Sequence, residues 1–335
     1  MDNDHLMNDE KFLGDDMNIA GSRVLVAGGA GLIGSHLCEQ LAAEHVQEIV
    51  VFDRNASLLA ESMAIDTRKI RLIDGDITLP GEVKEALQGI DFVFHAASLL
   101  TRAAAADLKR GLEVNILGTF YLLQECVSAG VRKVIYSSSV SLYGDPVEIP
   151  MTEDHPVNTN SMYGAGKFTS ELFFRIFKNA KRLDYVSLRY AIVYGTRQHD
   201  RGNLISYMLE AFDRIARGLS PIIYGDGSQS YDYICVEDVA RANLLALKSP
   251  VTEGVFNIGT GITHTTGEVV QMILDITGSS LNPIYVPQGE QLGPASFVLE
   301  VERAKKVLGF RSRISLKEGL RRYFEWRKKG PLSAK

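Results

Sequence analysis

A doubly wound parallel α/β fold with a smaller C-terminal lobe is what this sequence predicts, on three observations. Short apolar runs alternate with helical stretches from Arg23 to Tyr190, the rhythm of strands crossing over through helices. The first run ends in a glycine turn, Gly28 to Gly34, that opens directly into a helix. After Tyr190 the texture changes: loops lengthen, and glycines and prolines cluster.

The elements follow in order. Arg23–Ala27 reads as a buried strand, 32–43 as a helix, and 48–52 as a second strand that stops at Asp53. Apolar runs at 70–73, 91–95, 133–136 and 185–188 predict further strands, with helices at 81–88, 108–129 and Met162–Lys181. Beyond Tyr190 helices are expected at 204–217, 236–248, 266–277 and 316–327. The sheet domain therefore spans 21–190, with 232–262 returning to it, and 191–231 together with 263–330 form a substrate lobe. Residues 1–20 are polar, acidic and without period, and are expected to be a mobile extension.

Composition narrows the function. The 36 basic and 41 acidic side chains leave a net charge of −5, and the imbalance is local. Residues 1–20 hold six acids against Lys11, so the rest of the chain balances at 35 of each sign. No basic field is present to follow a nucleic-acid backbone. No apolar run approaches the ~20 residues of a membrane helix, and the start lacks the pattern of a signal peptide. Cys38, Cys126 and Cys235 are odd in number and widely spaced, and the histidines show no ligand spacing. A globular, cytoplasmic protein without a metal site is expected.

The glycine turn carries the first chemistry. Gly28 permits the tight turn, Gly31 lets backbone approach a pyrophosphate, and Gly34 lets the helix pack closely on the sheet, with Leu32 and Ile33 in its first turn. The helix N-terminus offers amide donors to phosphate. Asp53, nineteen residues past Gly34, can accept both ribose hydroxyls and repel a 2′-phosphate, which favours NAD over NADP despite Arg54 beside it. Asp76 and Ile77, after the third strand, are placed to hold an adenine. Ala96, Ala97 and Ser98 end the fourth strand with small residues that let a cofactor lie against backbone. His95 reads as a packed core histidine.

The second chemistry lies on the helix after the fifth strand. Tyr163 and Lys167 stand at i and i+4, on one helix face. An adjacent ammonium and a cationic nicotinamide would lower the phenol's proton affinity and make a base of it. The lysine can also hold the nicotinamide ribose. Ser137, Ser139 and Ser141 follow the fifth strand at the carboxyl edge of the sheet, where such folds bind ligands.

With these residues in place the chain resembles the extended short-chain dehydrogenase/reductases of the NAD-dependent epimerase/dehydratase family, the group of the nucleotide-sugar 4-epimerases. The likeness runs from Arg23 to about Trp326 through the glycine turn, His95-Ala-Ala, Asn115-Ile-Leu-Gly-Thr119, Ser137-Ser-Ser-Val-Ser-Leu-Tyr-Gly144, Tyr163-x-x-x-Lys167 and Leu188-Arg-Tyr190. It continues through Val193-Tyr-Gly195, Gly225-Asp-Gly-Ser228, Val236-Glu-Asp-Val239 and Phe256-Asn-Ile-Gly-Thr-Gly261. The resemblance implies a Rossmann-type sheet with bound NAD and a catalytic group of Ser139, Tyr163 and Lys167. It implies that Tyr190 and Val193 line the nicotinamide end, and that Asn115 holds backbone and ordered water behind the site. Asn203, Tyr231, Ser141 and Ser139 would meet the substrate.

Family dehydratases usually carry an acid two positions after the catalytic serine. Here that position is Ser141, whose hydroxyl cannot serve as that acid, so C4 epimerisation of a nucleotide sugar is the implied activity. Three departures keep a net dehydrogenase of a non-nucleotide sugar, sugar acid or other hydroxy compound open as the alternative. Ile192 replaces an asparagine that contacts the diphosphate, Tyr231 replaces an arginine before Asp232, and an Arg-Pro-Gly-Asp stretch is missing near Pro287 to Gln291. Arg197 and Arg201 are the candidate replacements, and Met162 and Gln288 the candidate pocket walls. A cofactor-binding scaffold without catalysis is disfavoured by the intact Ser139, Tyr163 and Lys167. Phe168, Leu172, Phe173, Phe174, Ile176 and Phe177 cover more of their helix than one core stripe requires. That second apolar face, beside residues 108–129, predicts a homodimer through these two helices.

Overall fold

Seven parallel strands form the central sheet of the computed structural model, which describes residues 17–59, 69–198, 205–287 and 296–329. The expected extension up to residue 16, Arg201, Asn203 and Gln288 lie outside the described residues. The chain runs β1 (Arg23–Ala27), α1 (Leu32–Ala42), β2 (Glu48–Asp53), β3 (Ile70–Asp74), α2 (Pro80–Ala86), β4 (Phe92–His95), α3 (Thr101–Ala106) and α4 (Leu108–Leu112). A π turn (Glu113–Leu117) leads into α5 (Gly118–Ala129), followed by β5 (Lys133–Ser139), α6 (Met162–Lys181) and β6 (Asp184–Tyr190). Then come β7 (Ile192–Tyr194), α7 (Ser206–Ala216), β8 (Ile222–Tyr224), β9 (Ser230–Cys235), α8 (Val236–Lys248) and β10 (Val255–Ile258). The chain closes with β11 (Thr263–Thr265), α9 (Thr266–Thr277), β12 (Ile284–Val286), α10 (Glu302–Val307) and α11 (Leu316–Lys329).

The strand order is β3-β2-β1-β4-β5-β6-β10. β2 and β4 flank β1, so the connections leave in opposite directions there, and a crevice opens beyond the carboxyl ends of the strands at this switch. Strands β1, β2, β4 and β5 are buried almost throughout because helices cover both faces, which is why they read as continuous apolar runs. Val24, Val26, Ile49 and Val51 pack towards α1, while Leu25, Val50 and Val93 join the core under α2 and α5. Even Lys133, at the start of β5, is buried. Its ammonium donates to the carbonyls of Ala246 at 2.7 Å and Ser249 at 2.9 Å, at the C-terminus of α8.

The later residues build two small sheets, β11-β9-β7 and β12-β8, and return β10 to the edge of the main sheet beside β6. Buried Asp232 on β9 ties the parts together, accepting hydrogen bonds from the amides of Thr260 and Gly261 and from the Thr260 hydroxyl at 2.7–3.0 Å.

Two expectations change. Residues 17–20 belong to the folded body: Ile19 is buried in the core, and the Met17 amide donates to the Lys248 carbonyl at 2.6 Å. The helix over 108–129 is interrupted by the π turn at Glu113–Leu117, a widening that serves the site. No helix among the described residues is long and apolar enough to cross a membrane.

Candidate active site

The glycine turn fits a dinucleotide. Gly28 adopts φ +81°, and a Cβ there would lie 2.5 Å from the Ala97 amide nitrogen. A Cβ on Gly34 would run into the Gly28 carbonyl, so α1 can approach the turn only with glycine at that position. A Cβ on Gly31, by contrast, would meet little beyond the Gly28 carbonyl at 3.3 Å. Backbone thus lies bare at the N-terminus of α1, where orphan amides and the helix dipole favour a pyrophosphate. Asp53 closes β2 beside the turn, accepting the Ala30 amide at 3.2 Å and the Asn55 amide at 3.1 Å, and Arg54 is exposed.

Asp76 is engaged within the fold just past the end of β3. Its carboxylate accepts the Thr78 amide and hydroxyl and pairs with Arg110, while its own amide donates to Glu82 at 2.7 Å. Ile77 beside it is buried against Gly118.

Asn115 sits in the middle of the π turn and clamps the loop after β4. Its side chain accepts the Leu99 amide at 2.8 Å and donates to the Leu99 carbonyl at 2.9 Å. Its own carbonyl accepts the Ser170 hydroxyl of α6 at 3.0 Å. One residue thereby registers the Ala96-Ala97-Ser98 segment against the catalytic helix. His95 is fully buried, its Nε2 within 2.9 Å of the Thr119 hydroxyl, and burial with the nearby Lys167 charge holds it at about 3, hence neutral.

The serine segment and α6 meet at the carboxyl end of β5. Ser139 caps the short turn that follows, accepting the Ser141 amide, and its hydroxyl donates to the Ser141 hydroxyl at 3.1 Å. Ser161 caps α6 by accepting the Gly164 amide at 3.0 Å. Lys167 donates to the Ser137 carbonyl at 2.6 Å, and its nitrogen lies 5.4 Å from the centre of the Tyr163 ring. Burial pushes the Tyr163 phenol up to about 12 against the opposing hydrogen bonds of Ser139 and Ser98, and pushes Lys167 down to about 7 against the attraction of Glu171. Burial thus dominates the phenol in this fold, with Ser139 and Ser98 the groups that oppose it.

The remaining residues divide. The Tyr190 hydroxyl is held by Ser137 at 3.2 Å and Asn243 at 2.8 Å, so what Tyr190 can offer a nicotinamide is its ring. Val193 is half-buried on β7, paired with Ile234 of β9. Tyr231 is buried, its ring edge-on to Tyr233 and Phe297. Met162 packs toward Gly111 of α4. Arg197 pairs with Glu39 of α1 through Nη2, and its Nη1 is buried with no hydrogen-bond partner among the described residues. Sequence reasoning missed a buried cluster of Ser138, Glu171 and Arg189 directly behind the site. Its visible signal was Glu171, one further turn along the face that carries Tyr163 and Lys167.

A parallel sheet of this order, a glycine turn at its switch and a Ser139-Tyr163-Lys167 group define a nucleotide-cofactor enzyme of the short-chain dehydrogenase/reductase type. The model of the NAD dependent epimerase/dehydratase family matches residues 24–259, and the chain belongs to that family. A UDP-glucose 4-epimerase of Mycolicibacterium smegmatis is 34% identical over 318 residues, covering 91% of this chain and 98% of the relative. The UDP-N-acetylglucosamine 4-epimerase of Methanobrevibacter ruminantium, solved with UDP-N-acetylmuramic acid, superposes with a TM-score of 0.85 at 29% identity, over 92% of this chain and 98% of that one. The dTDP-glucose 4,6-dehydratase of Streptomyces venezuelae, solved with NAD, follows at TM-score 0.82 and 30% identity, over 92% and 97%. NAD is the cofactor of this family, and the cradle described above fits it.

Proposed function

We propose that the protein is an NAD-dependent nucleotide-sugar 4-epimerase, acting on a UDP-hexose or a close relative. An epimerase and a dehydratase superpose on it at the same TM-score of 0.82, so overall shape does not choose between them. The choice rests on one observation: a hydroxyl, Ser141, stands hydrogen-bonded to Ser139 where elimination would need an acid.

Bound NAD supplies a hydride acceptor that can give the hydride back, and its oxidised ring carries positive charge. Gly28, Gly31 and Gly34 would receive its pyrophosphate, Asp53 its adenine ribose and Lys167 its nicotinamide ribose. Tyr163 takes the proton from the sugar's C4 hydroxyl and returns it once the ring has presented its other face. Ser139 holds that hydroxyl and shares the proton's hydrogen bond, with Ser141 orienting Ser139. Lys167, as an ammonium, stabilises the Tyr163 phenolate.

The arginine and asparagine that usually grip a diphosphate are replaced by Tyr231 and Ile192, both buried. This favours a second reading, net oxidation of a hydroxy compound without a diphosphate. Proton NMR of the purified protein with UDP-, dTDP- and GDP-sugars, without added NAD, tests the two. A new anomeric signal supports epimerisation. Silence there, with another hydroxy compound oxidised only when NAD is supplied, supports the second reading.

A homodimer is part of the proposal. Leu108, Leu112, Leu117, Phe120 and Ile176 are exposed along α4, the π turn, α5 and α6, and Phe120 packs edge-on to Phe173 and Phe177. Such a patch on two adjacent helices suits a second copy of the same chain. The three cysteines are buried free thiols, which suits a reducing, cytoplasmic setting.

A further inference from the structure

Tyr163, Lys167 and Glu171 stand in a row on α6, each one turn from the next. The first two belong to the site. Glu171 lies behind it, buried, with its carboxylate fully engaged. Arg189 of β6 donates Nε to Oε1 at 3.1 Å and Nη2 to Oε2 at 2.7 Å, and the Ser138 hydroxyl donates to Oε1 at 2.6 Å. The remaining Arg189 nitrogen donates to the Tyr143 hydroxyl and the Glu153 carbonyl, both at 2.8 Å. A buried ion pair of this kind contributes little stability over an apolar replacement, because desolvation offsets the attraction. Its position points to a different use.

Ser138 is the middle of three serines. Ser137 on one side gives its carbonyl to Lys167 at 2.6 Å, and Ser139 on the other is the catalytic hydroxyl. One carboxylate therefore grips the strand end that carries both, and it does so one turn away from the lysine. The other titratable groups around Lys167 are Tyr163 on the same helix, Tyr136 on β5 and His95 on β4, with Tyr190 of β6 bonded to the hydroxyl of Ser137 and Arg189 of β6 paired with Glu171. Burial pushes the three phenols up and keeps His95 neutral, so none of these is an anion at neutral pH. Glu171 is the negative charge that acts on Lys167.

We propose that Glu171 is a positioning residue for the reaction: it supplies the counter-charge that keeps Lys167 an ammonium beside Tyr163, while its bond to Ser138 fixes the strand end carrying Ser137 and Ser139. This rests on Tyr163 and Lys167 acting as described under the proposed function, and it adds a third member to their row. Glu171 acts only through its neighbours.

The test is an NMR titration of lysine labelled at Cε in the purified protein, with the Lys167 signal assigned by its loss in Lys167→Arg. Lys167 should titrate near the value of about 7 that burial gives it. In Glu171→Gln the midpoint should fall by about one pH unit, a tenfold loss of proton affinity. That variant leaves Arg189 buried without its partner. Should it fail to fold, Glu171→Gln with Arg189→Gln, which keeps amide hydrogen bonds and removes both charges, should still show a fall, smaller than that of the single variant because the opposing Arg189 charge is lost as well. Ser138→Ala, which keeps both charges, should titrate as the parent does. An unmoved midpoint in the charge variants would overturn the proposal, as would a fall in Ser138→Ala as large as theirs. Neither substrate nor turnover enters this readout, so its failure is distinct from a failure of the epimerase assignment.

Discussion

Tyr163 and Lys167 face one another across a single turn of α6, ammonium nitrogen to ring centre 5.4 Å, and burial drives their proton affinities apart. The phenol stands at about 12 and the lysine at about 7, where solvent would leave them near 10 and 10.5. Both shifts have the same cause, since a closed crevice disfavours phenolate and ammonium alike. The base therefore works only when positive charge is gathered around it. On the proposed function Lys167 would supply part of that charge, and the cationic ring of NAD, once bound, the rest.

Tyr163→Phe removes the proton carrier and keeps the ring. The fold and NAD affinity should persist while turnover falls by roughly 10²–10⁴. Steady-state kinetics beside NAD titration by calorimetry checks this, and near-normal turnover would remove Tyr163 from its role.

Lys167→Met should stabilise the protein in a pH-dependent way. Unfolded, the lysine keeps its proton up to about 10.5, and folded only to about 7. Between those values the unfolded chain binds the extra proton, so raising pH across the window stabilises the parent fold. Below it the cost of the buried ammonium is felt in full. The variant's advantage should be a few kcal/mol below pH 7 and shrink steadily towards 10.5. Urea midpoints across that range would contradict this by showing a constant difference.

Two glycines of one turn should fail differently. Gly34→Ala drives a methyl into the Gly28 carbonyl and should destabilise the fold by about 1–3 kcal/mol. Gly31→Ala meets far less protein, so melting should barely change while NAD binding weakens, because the methyl stands where backbone must approach the pyrophosphate. Thermal melts paired with NAD titrations of both variants separate the two effects. Equal melting losses would contradict the assignment of the bare backbone.

The outer face of α5 and α6 should hold two copies together. Phe120→Asp with Ile176→Asp places charge on exposed apolar positions and should leave the subunit folded. Sedimentation velocity at micromolar concentration should show a dimer for the parent and a monomer for the variant. A monomeric parent would end this part of the proposal.

Much of the sheet was legible because strands covered on both faces cannot alternate, and their continuous apolar runs stand out between helices. β1, α6, α8 and α9 begin and end where the pattern placed them. The second lobe was less legible. β7, β8, β11 and β12 are three residues long, too short to carry a period, and their partners lie far along the chain. The glycine turn, Asp53, Ser139, Tyr163 and Lys167 could be singled out as candidates because each is marked by local spacing. The partner of Asp76 could not: Arg110, which pairs with it, is distant in sequence and supplied by tertiary folding. The same holds for Arg197, drawn to Glu39, and for Tyr231, whose phenol looks polar in sequence but packs within an aromatic cluster. The Glu171 and Arg189 pair needed both a helix face and a strand register to be seen.

The central claim is that the same hydride leaves and returns within one site, and isotope retention tests it most directly. A UDP-hexose deuterated at C4 should be converted to its C4 epimer by the purified protein without added NAD, with the deuterium retained at C4 and no free NADH. Deuterium lost to solvent, or appearing in released NADH with a ketone as product, would contradict the account.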